Sequence, residues 1–304
     1  MQNKNSTSAS RIPLLTTGLS GLVGSTFRDA FETKYDFTNL DISHPENPVD
    51  ITNYNQVSAA IQNHPAESII HLAAFTDVTA AYEQKDDTSG LAYRVNVTGT
   101  EHIAQAAKES GKHLIHISTA FVFDGTKETL YSESDATNPI EWYGYTKAKA
   151  EEAVAAICDP QLWSILRIDF PFRSSPSPRP DIVRKNIQAM EKGYPLFTDH
   201  FFGPTFLDDF AKILDWAVSD SSASTGMYHA SSGEKWSDFE LAQALIKAQN
   251  LPYTAKPGSL DEYLKTLQRP YQRNTAMSAD KIKKVLPFQM VSIDTALKDY
   301  ISLT

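Results

Sequence analysis

The chain has 304 residues, 41% of them hydrophobic and 21% charged, which supplies enough apolar material for a folded body of one domain or two joined ones. Its formal net charge is -9, with lysine and arginine scattered along it, so nucleic acid and anionic membrane are poor partners. The single cysteine, Cys158, makes no internal disulfide and suits a reducing cytoplasmic compartment; near a helix end it reads as a small packing residue, not a nucleophile. No apolar run is long enough to span a membrane.

Residues 1–11 are polar, without an apolar segment, and are expected to form a disordered leader. Short apolar runs then alternate with amphipathic ones. Strands are predicted at Ile12–Thr17, Tyr35–Leu40, Ser68–Ala74, His113–Ser118 and Leu162–Ile168. Helices are predicted at Gly21–Thr33, Asn53–Asn63, Leu91–Ser110 and Gly144–Ile157. The long third helix stops at Gly111, a helix-ending glycine. Alternating strands and helices build βαβ units, and continuous apolar strands belong to a parallel sheet covered on both faces. The expected fold is α/β: a Rossmann-type doubly wound parallel sheet over 12–168, followed by a smaller mixed α/β C-terminal lobe over 169–304. Part of 203–235 is expected to return to the first domain. The Ser/Pro-rich stretch Ser174–Pro180 marks a loop at the junction, and helices are predicted near Leu207–Val218, Ser237–Gln249 and Ser292–Ile301.

Directly after the first strand stands Gly18-Leu19-Ser20-Gly21-Leu22-Val23-Gly24. Glycines permit a tight turn and let the backbone approach a pyrophosphate, and the helix that follows offers free N–H groups to an anion. A plain glycine-rich turn would look similar. Its place at the first strand-to-helix turn favours a dinucleotide. Asp41 ends the second strand about 20 residues later, where an acid binds the adenosine ribose. A carboxylate there repels a 2′-phosphate, and the next residue, Ile42, brings no cation, so the reading leans to NAD(H) over NADP(H).

Tyr143 and Lys147 lie four residues apart at the start of a helix, hence on one face. A free tyrosine titrates near a pKa of about 10, and a neighbouring ammonium favours the phenolate, which would suit a general acid or base. Thr119 follows the strand at His113–Ser118, at the edge where doubly wound sheets bind ligands, and its hydroxyl can hold a carbonyl beside Tyr143. A Tyr-x-x-x-Lys pair is common on surface helices; following a glycine turn and a strand-end Ser118-Thr119, it becomes specific.

From Ile12 onward the chain resembles the extended short-chain dehydrogenase/reductases, and among them the dTDP-4-dehydrorhamnose reductases. The resemblance rests on the glycine turn, Val49-Asp50-Ile51-Thr52, His71-Leu72-Ala73-Ala74-Phe75-Thr76, Arg94-Val95-Asn96-Val97, His116 through Gly125, Tyr143 through Lys147, Phe202 through Phe206, and Arg269-Pro270. It implies that Asp50 and Ile51 hold adenine. It also implies that Leu72, Ala73, Ala74 and Thr76 line the cofactor cleft, and that Asn96 supports Lys147, which also binds the nicotinamide ribose. The implied reaction is NAD(P)H-dependent reduction of a nucleotide-linked 4-keto-6-deoxy sugar, with Thr119, Tyr143 and Lys147 catalytic and the C-terminal lobe closing over the nucleotide-sugar. Val78, Ala120, Phe121, Phe170 and Arg269 would fall in the substrate pocket. Four departures touch that pocket or the cofactor: Ala120 replaces an aspartate, Ile42 an arginine, 78–83 lacks the usual Val-Asp-Lys-Ala-Glu, and Ile168-Asp169-Phe170 lacks a tryptophan.

Metal binding is not expected, since His113 and His116 face opposite sides of a strand and His71 reads as a buried, hydrogen-bonded histidine. Arg173, Arg179 or Arg184 could clamp a diphosphate, or serve solubility. Two other activities share the scaffold: a nucleotide-sugar epimerase with tightly bound NAD, and a non-catalytic dinucleotide-binding regulatory subunit. A homodimer is the assembly considered.

Overall fold

The computed structural model describes residues 10–176 and 180–300, so most of the expected leader, and Arg179, lie outside the described residues. The strands are β1 (Ile12–Thr17), β2 (Tyr35–Leu40), β3 (Ser68–His71), β4 (His113–Thr119) and β5 (Trp163–Ile168). Between them run α1 (Leu22–Phe31), α2 (Tyr54–Ile61), α3 (Val78–Tyr82), α4 (Leu91–Tyr93), α5 (Gly99–Glu109) and α6 (Trp142–Ile157). Every residue of β3 and β4 is buried, as strands covered on both faces require.

The C-terminal part contributes β6 (Pro171–Phe172), α7 (Ile182–Glu191), β7 (Leu196–Phe197), β8 (Phe201–Phe202), β9 (Thr205–Phe206), α8 (Leu207–Ser219) and β10 (Gly226–His229). After these come β11 (Trp236–Ser237), α9 (Asp238–Gln249), β12 (Pro257–Gly258), α10 (Leu260–Leu264), α11 (Asp280–Lys283) and α12 (Ile293–Asp299). The main sheet has the order β10-β5-β4-β3-β1-β2 and is parallel throughout. This is the Rossmann-type doubly wound sheet the sequence implies. β10 and α8 rejoin it from beyond residue 168, β10 beside β5 and α8 against α1.

Alternate residues of the strands feed two cores. Leu14, Ile70 and Ile115 pack under Phe210, Ile213 and Leu214 of α8, while Leu15, Ile69 and Leu114 pack under Val57, Ile103 and Val154 from α2, α5 and α6. A third core, with Phe172, Val183, Ile187, Leu241 and Leu297, belongs to the C-terminal lobe, whose strands form only two-stranded pairs. Because β1 is flanked by β2 on one side and β3 on the other, the chain reverses its direction of winding there. The crevice beyond the carboxyl ends of β1 and β3 is where such sheets place ligands.

Two elements depart most from the sequence expectation. β3 ends at His71 rather than Ala74, because the chain turns away as Leu72 N–H donates to the Thr17 carbonyl (3.2 Å) and the Thr17 hydroxyl (3.2 Å). The helix expected over Leu91–Ser110 is broken between α4 and α5 by a π-helical turn, Arg94–Thr98. Such turns insert a residue and cluster at functional sites; this one carries the buried Asn96.

Phe27 of α1 is fully buried, with its ring 5.4–5.7 Å from those of Phe31, Tyr35 and Phe37. Phe27→Ala should lower the unfolding free energy by about 3–5 kcal/mol in urea titrations; a loss under about 1 kcal/mol would contradict the packing described.

Candidate active site

The first βα turn forms one wall of the crevice. Gly18 has φ of 67°, and a Cβ there would stand 2.7 Å from the Ala73 nitrogen, so only glycine allows the turn to lie against the chain leaving β3. Gly21 caps α1 without any side-chain hydrogen bond, leaving the helix-start N–H groups free of side-chain caps, with Leu22 and Val23 half-buried in the first turn. Gly24 is buried, with Leu19 Cα and the Gly18 carbonyl where its Cβ would go. Asp41 sits just past β2. Burial alone would raise its pKa, but hydrogen bonds from the Ser43 N–H and hydroxyl, Asn39 and Ser20 outweigh this and lower it, keeping the carboxylate charged. Ser20 donates to it at 3.4 Å, tying Asp41 to the glycine turn. Ile42 beside it is 69% exposed, so no cation stands at that place.

The other predicted cofactor residues divide. Leu72, Ala73 and Ala74 are half-buried along the exit from β3, and Thr76 is exposed beyond them. The Asp50 carboxylate is occupied by the Thr52 N–H and hydroxyl, both at 2.8 Å. The Ile51 side chain is buried in the core and packs against Gly99, leaving its backbone as the part that could meet a base.

Thr119 ends β4 and Tyr143 stands in the first turn of α6. What joins them is a backbone contact: a Cβ on Gly144 would lie 2.1 Å from the Phe121 carbonyl oxygen, so α6 starts pressed onto the turn that follows Thr119. Tyr143 keeps some surface open, yet its phenol is crowded by protein. The expected downward shift from Lys147 is not seen. Burial drives the Tyr143 pKa well above the ordinary tyrosine range and the Glu141 carboxylate adds to this, while the Thr119 hydroxyl opposes it. Lys147 points its ammonium elsewhere, donating to the Ile117 carbonyl (2.7 Å) and to His116 Nε2 (3.1 Å). Burial pulls its pKa down to about 8 against the attraction of Glu151.

Asn96 makes no hydrogen bond to Lys147, whose ammonium is taken by Ile117 and His116. Its amide is spent on the Phe75 N–H (2.7 Å), the Phe75 carbonyl (3.1 Å) and the Thr146 hydroxyl (2.9 Å). Through them it belongs to a polar chain running under the crevice. Leu72 and Ala73 N–H groups donate to the Thr17 hydroxyl. That hydroxyl bonds His71 Nδ1 at 2.7 Å, and His71 Nε2 bonds Thr100 at 3.0 Å. Since Thr100 donates to the Asn96 carbonyl (2.7 Å), it must accept from Nε2–H, which fixes the His71 tautomer and makes Thr17 the donor to Nδ1. Thr146, in turn, donates to the Tyr143 carbonyl at 2.8 Å. The chain therefore links the edge of the crevice to the start of α6. In the sequence His116 is weighed only as a metal ligand and Glu141 escapes notice: neither a strand histidine nor a carboxylate two residues before the tyrosine carries a spacing that marks this role.

Of the predicted substrate residues, Phe121 and Phe170 come together at 5.9 Å, and Phe121 lies 5.8 Å from the Tyr143 ring. Phe170 has φ of 35°, a strained region for a bulky side chain that proteins keep mainly at functional places. Arg269 lies near Glu141 and over the Tyr271 ring at 5.0 Å. Val78 opens α3, half-buried behind its Asp77 cap. Ala120 is a correction. Its methyl is fully buried among Val122, Phe123, Tyr131 and Met277, because the chain turns there into a short 3-10 helix, so its side chain offers nothing to a ligand. Arg173 is likewise engaged, donating to Ser25 (3.1 Å), Thr26 (3.4 Å) and the Ser175 carbonyl (3.1 Å), and thus fastening the C-terminal lobe to α1.

A glycine turn at a sheet switch point, facing a strand-end threonine and a helical Tyr-x-x-x-Lys, defines an extended short-chain dehydrogenase/reductase, a class of NAD(P)-dependent oxidoreductase. Residues 12–304 match the RmlD substrate binding domain model, and the chain belongs to that family. A dTDP-4-dehydrorhamnose reductase of Aggregatibacter actinomycetemcomitans is 28% identical over 302 residues, covering 94% of this chain and 97% of its own. The crystal structure of dTDP-4-dehydrorhamnose reductase from Bacillus anthracis, in complex with NADP, superposes with a TM-score of 0.82 at 24% identity, over 96% of this chain and 98% of that one. Thermus thermophilus UDP-glucose 4-epimerase, in complex with NAD, shares the fold at a TM-score of 0.74 and 19% identity, over 94% and 97% of the two chains.

Burial, with a smaller contribution from Lys147, lowers the His71 pKa from 6.5 to about 3. The unfolded chain therefore takes up this proton first. The stability tied to neutral His71 is whole above pH 6.5 and drains away as the pH falls toward 3. Between pH 6.5 and 5 the loss amounts to about 2 kcal/mol, from about 1.4 kcal/mol per pH unit. In His71→Gln the decline in urea stability over that interval should be smaller by about this much; an unchanged slope would show that His71 is not held neutral.

Proposed function

We propose that this chain reduces the 4-keto group of a nucleotide-linked 6-deoxyhexose to an alcohol at the expense of a nicotinamide dinucleotide. The observation that carries the reading is that the Thr119 hydroxyl lies near enough to the Tyr143 phenol to act on its proton affinity, at the carboxyl edge of β4 where Gly144 rests on the Phe121 carbonyl.

The residues present suit the dinucleotide. The close approach at Gly18, the α1 start free of side-chain caps and the charged Asp41 make a cradle for a pyrophosphate and a ribose diol. When bound, the nicotinamide supplies the hydride. The chain does the rest. Thr119 donates a hydrogen bond to the ketone oxygen and polarises it. Tyr143 holds its proton firmly, being shifted upward, and gives it to that oxygen as negative charge develops there. The hydride on carbon and the proton on oxygen together account for the alcohol. The buried ammonium of Lys147 lies one helical turn on and keeps positive charge near the site. Phe121 and Phe170 exclude water from one side. The family's dTDP-4-dehydrorhamnose reductases support the substrate class, and Asp41 beside the uncharged Ile42 supports NAD(H) over NADP(H).

The purified protein should oxidise NADH, faster than NADPH, when given a dTDP-4-keto-6-deoxy sugar, as followed at the nicotinamide absorbance band. Tyr143→Phe should slow this by about 10²–10⁴-fold. Absence of oxidation together with NAD already bound to the purified protein would overturn the reductase reading in favour of epimerisation.

A further inference from the structure

The first turn of α6 carries a group that the proposed chemistry leaves unused. Glu141 is the N-cap of α6, and its two carboxylate oxygens accept from the Tyr143 N–H (3.1 Å) and the Gly144 N–H (2.9 Å). Helix caps are usually Ser, Thr, Asp or Asn on exposed starts; this one is a glutamate only 4% exposed. Segment 269–273 of the C-terminal lobe closes over it. Arg269 stands near it as a positive charge and Gln272 as an amide, both favouring its ionised form. Gln272 also reaches the Phe121 carbonyl at 3.5 Å, the atom on which Gly144 rests. From its own helix the titratable group facing it is Tyr143. The turn after β4 meets the same place through the Phe121 carbonyl, which flanks Gly144 together with a Glu141 carboxylate oxygen. Glu141 thus joins three segments: the turn after Thr119, the start of the tyrosine helix, and the C-terminal lobe.

We propose that Glu141 is a positioning residue for Tyr143, a carboxylate clamp that holds the first turn of α6 in place against Arg269 and Gln272 and releases it on protonation. The proposal rests on the ketone-reductase reading only for its kinetic consequence; the clamp itself is a property of this chain. An ionised carboxylate accepts both N–H groups and attracts the guanidinium. A protonated one must spend one oxygen as a donor, facing two N–H donors and a cation, so one cap bond and the attraction to Arg269 are lost. Burial raises the Glu141 pKa to about 6, against the opposing pull of the two N–H bonds, Arg269 and Gln272, so the clamp is ionised above that pH and protonated below it.

Two measurements test the clamp. In protein labelled with 15N-tyrosine and 15N-glycine, the amide resonances of Tyr143 and Gly144 should titrate with a midpoint near pH 6, retain a titration in Glu141→Asp, and lose it in Glu141→Gln. With NADH and the keto-sugar, kcat should fall below about pH 6 in the unmodified chain. In Glu141→Gln that acid limb should vanish and the plateau should drop about tenfold, with KM for the sugar changed less than threefold. A melting scan establishes that each variant is folded. Amide shifts that stay still through pH 6, or an acid limb that persists in folded Glu141→Gln, would overturn the proposal. Loss of all turnover in the unmodified chain would refute the reductase reading, and the amide titration would still decide the clamp.

Discussion

The site depends on a backbone contact that admits no side chain. α6 begins where Gly144 meets the Phe121 carbonyl, and even a methyl group would stand 2.1 Å from that oxygen. This fixes the distance between the end of β4 and the start of α6, and so the relation of Thr119 to Tyr143. The same device appears at the other end of the crevice, where Gly18 lies against Ala73. Both contacts sit at the carboxyl edge of the sheet, which lets backbone rather than mobile side chains set the width of the crevice.

Under that edge the protein buries a continuous line of polar groups. Thr17, His71, Thr100, Asn96 and Thr146 are all nearly or fully buried, and each of them finds a partner. A half-satisfied network would cost more than an apolar core of the same shape, so complete pairing is what makes the arrangement tolerable. The π-helical turn at Arg94–Thr98 belongs to this scheme, because it holds Asn96 where its amide can bridge the chain after β3 and the start of α6. Farther along α6, Arg167 and Glu151 form a buried ion pair at 2.6–2.8 Å, and Glu151 supplies the negative charge that partly sustains Lys147.

Much of this was legible in the residues alone. The strands and helices of the sheet domain follow from short apolar runs alternating with amphipathic ones, and Gly18, Asp41, Thr119, Tyr143 and Lys147 stand at strand ends and helix starts that the pattern marks. What was not legible has a common cause: it depends on which side chain meets which across the fold. Ala120 lies beside Thr119 in the chain, yet a 3-10 turn directs its methyl into the core. Arg173 reads as a free cation in a Ser/Pro loop, yet it is drawn onto the α1 hydroxyls of Ser25 and Thr26. The upward shift of Tyr143 could not be read from a lysine four residues away, because burial and a glutamate two residues before it act in the opposite direction. His116 meets Lys147 only because β4 and α6 pack face to face.

The proposed reaction places a hydride on the carbon of a ketone whose oxygen is held by Thr119 and Tyr143. The most direct test uses NADH carrying deuterium at the transferred position of the nicotinamide, with a dTDP-4-keto-6-deoxy sugar, and locates the label in the product by NMR. The account predicts one deuterium on C4 of the sugar alcohol for each NADH oxidised. A product without deuterium at C4, or a sugar inverted with no net oxidation of NADH, would contradict it.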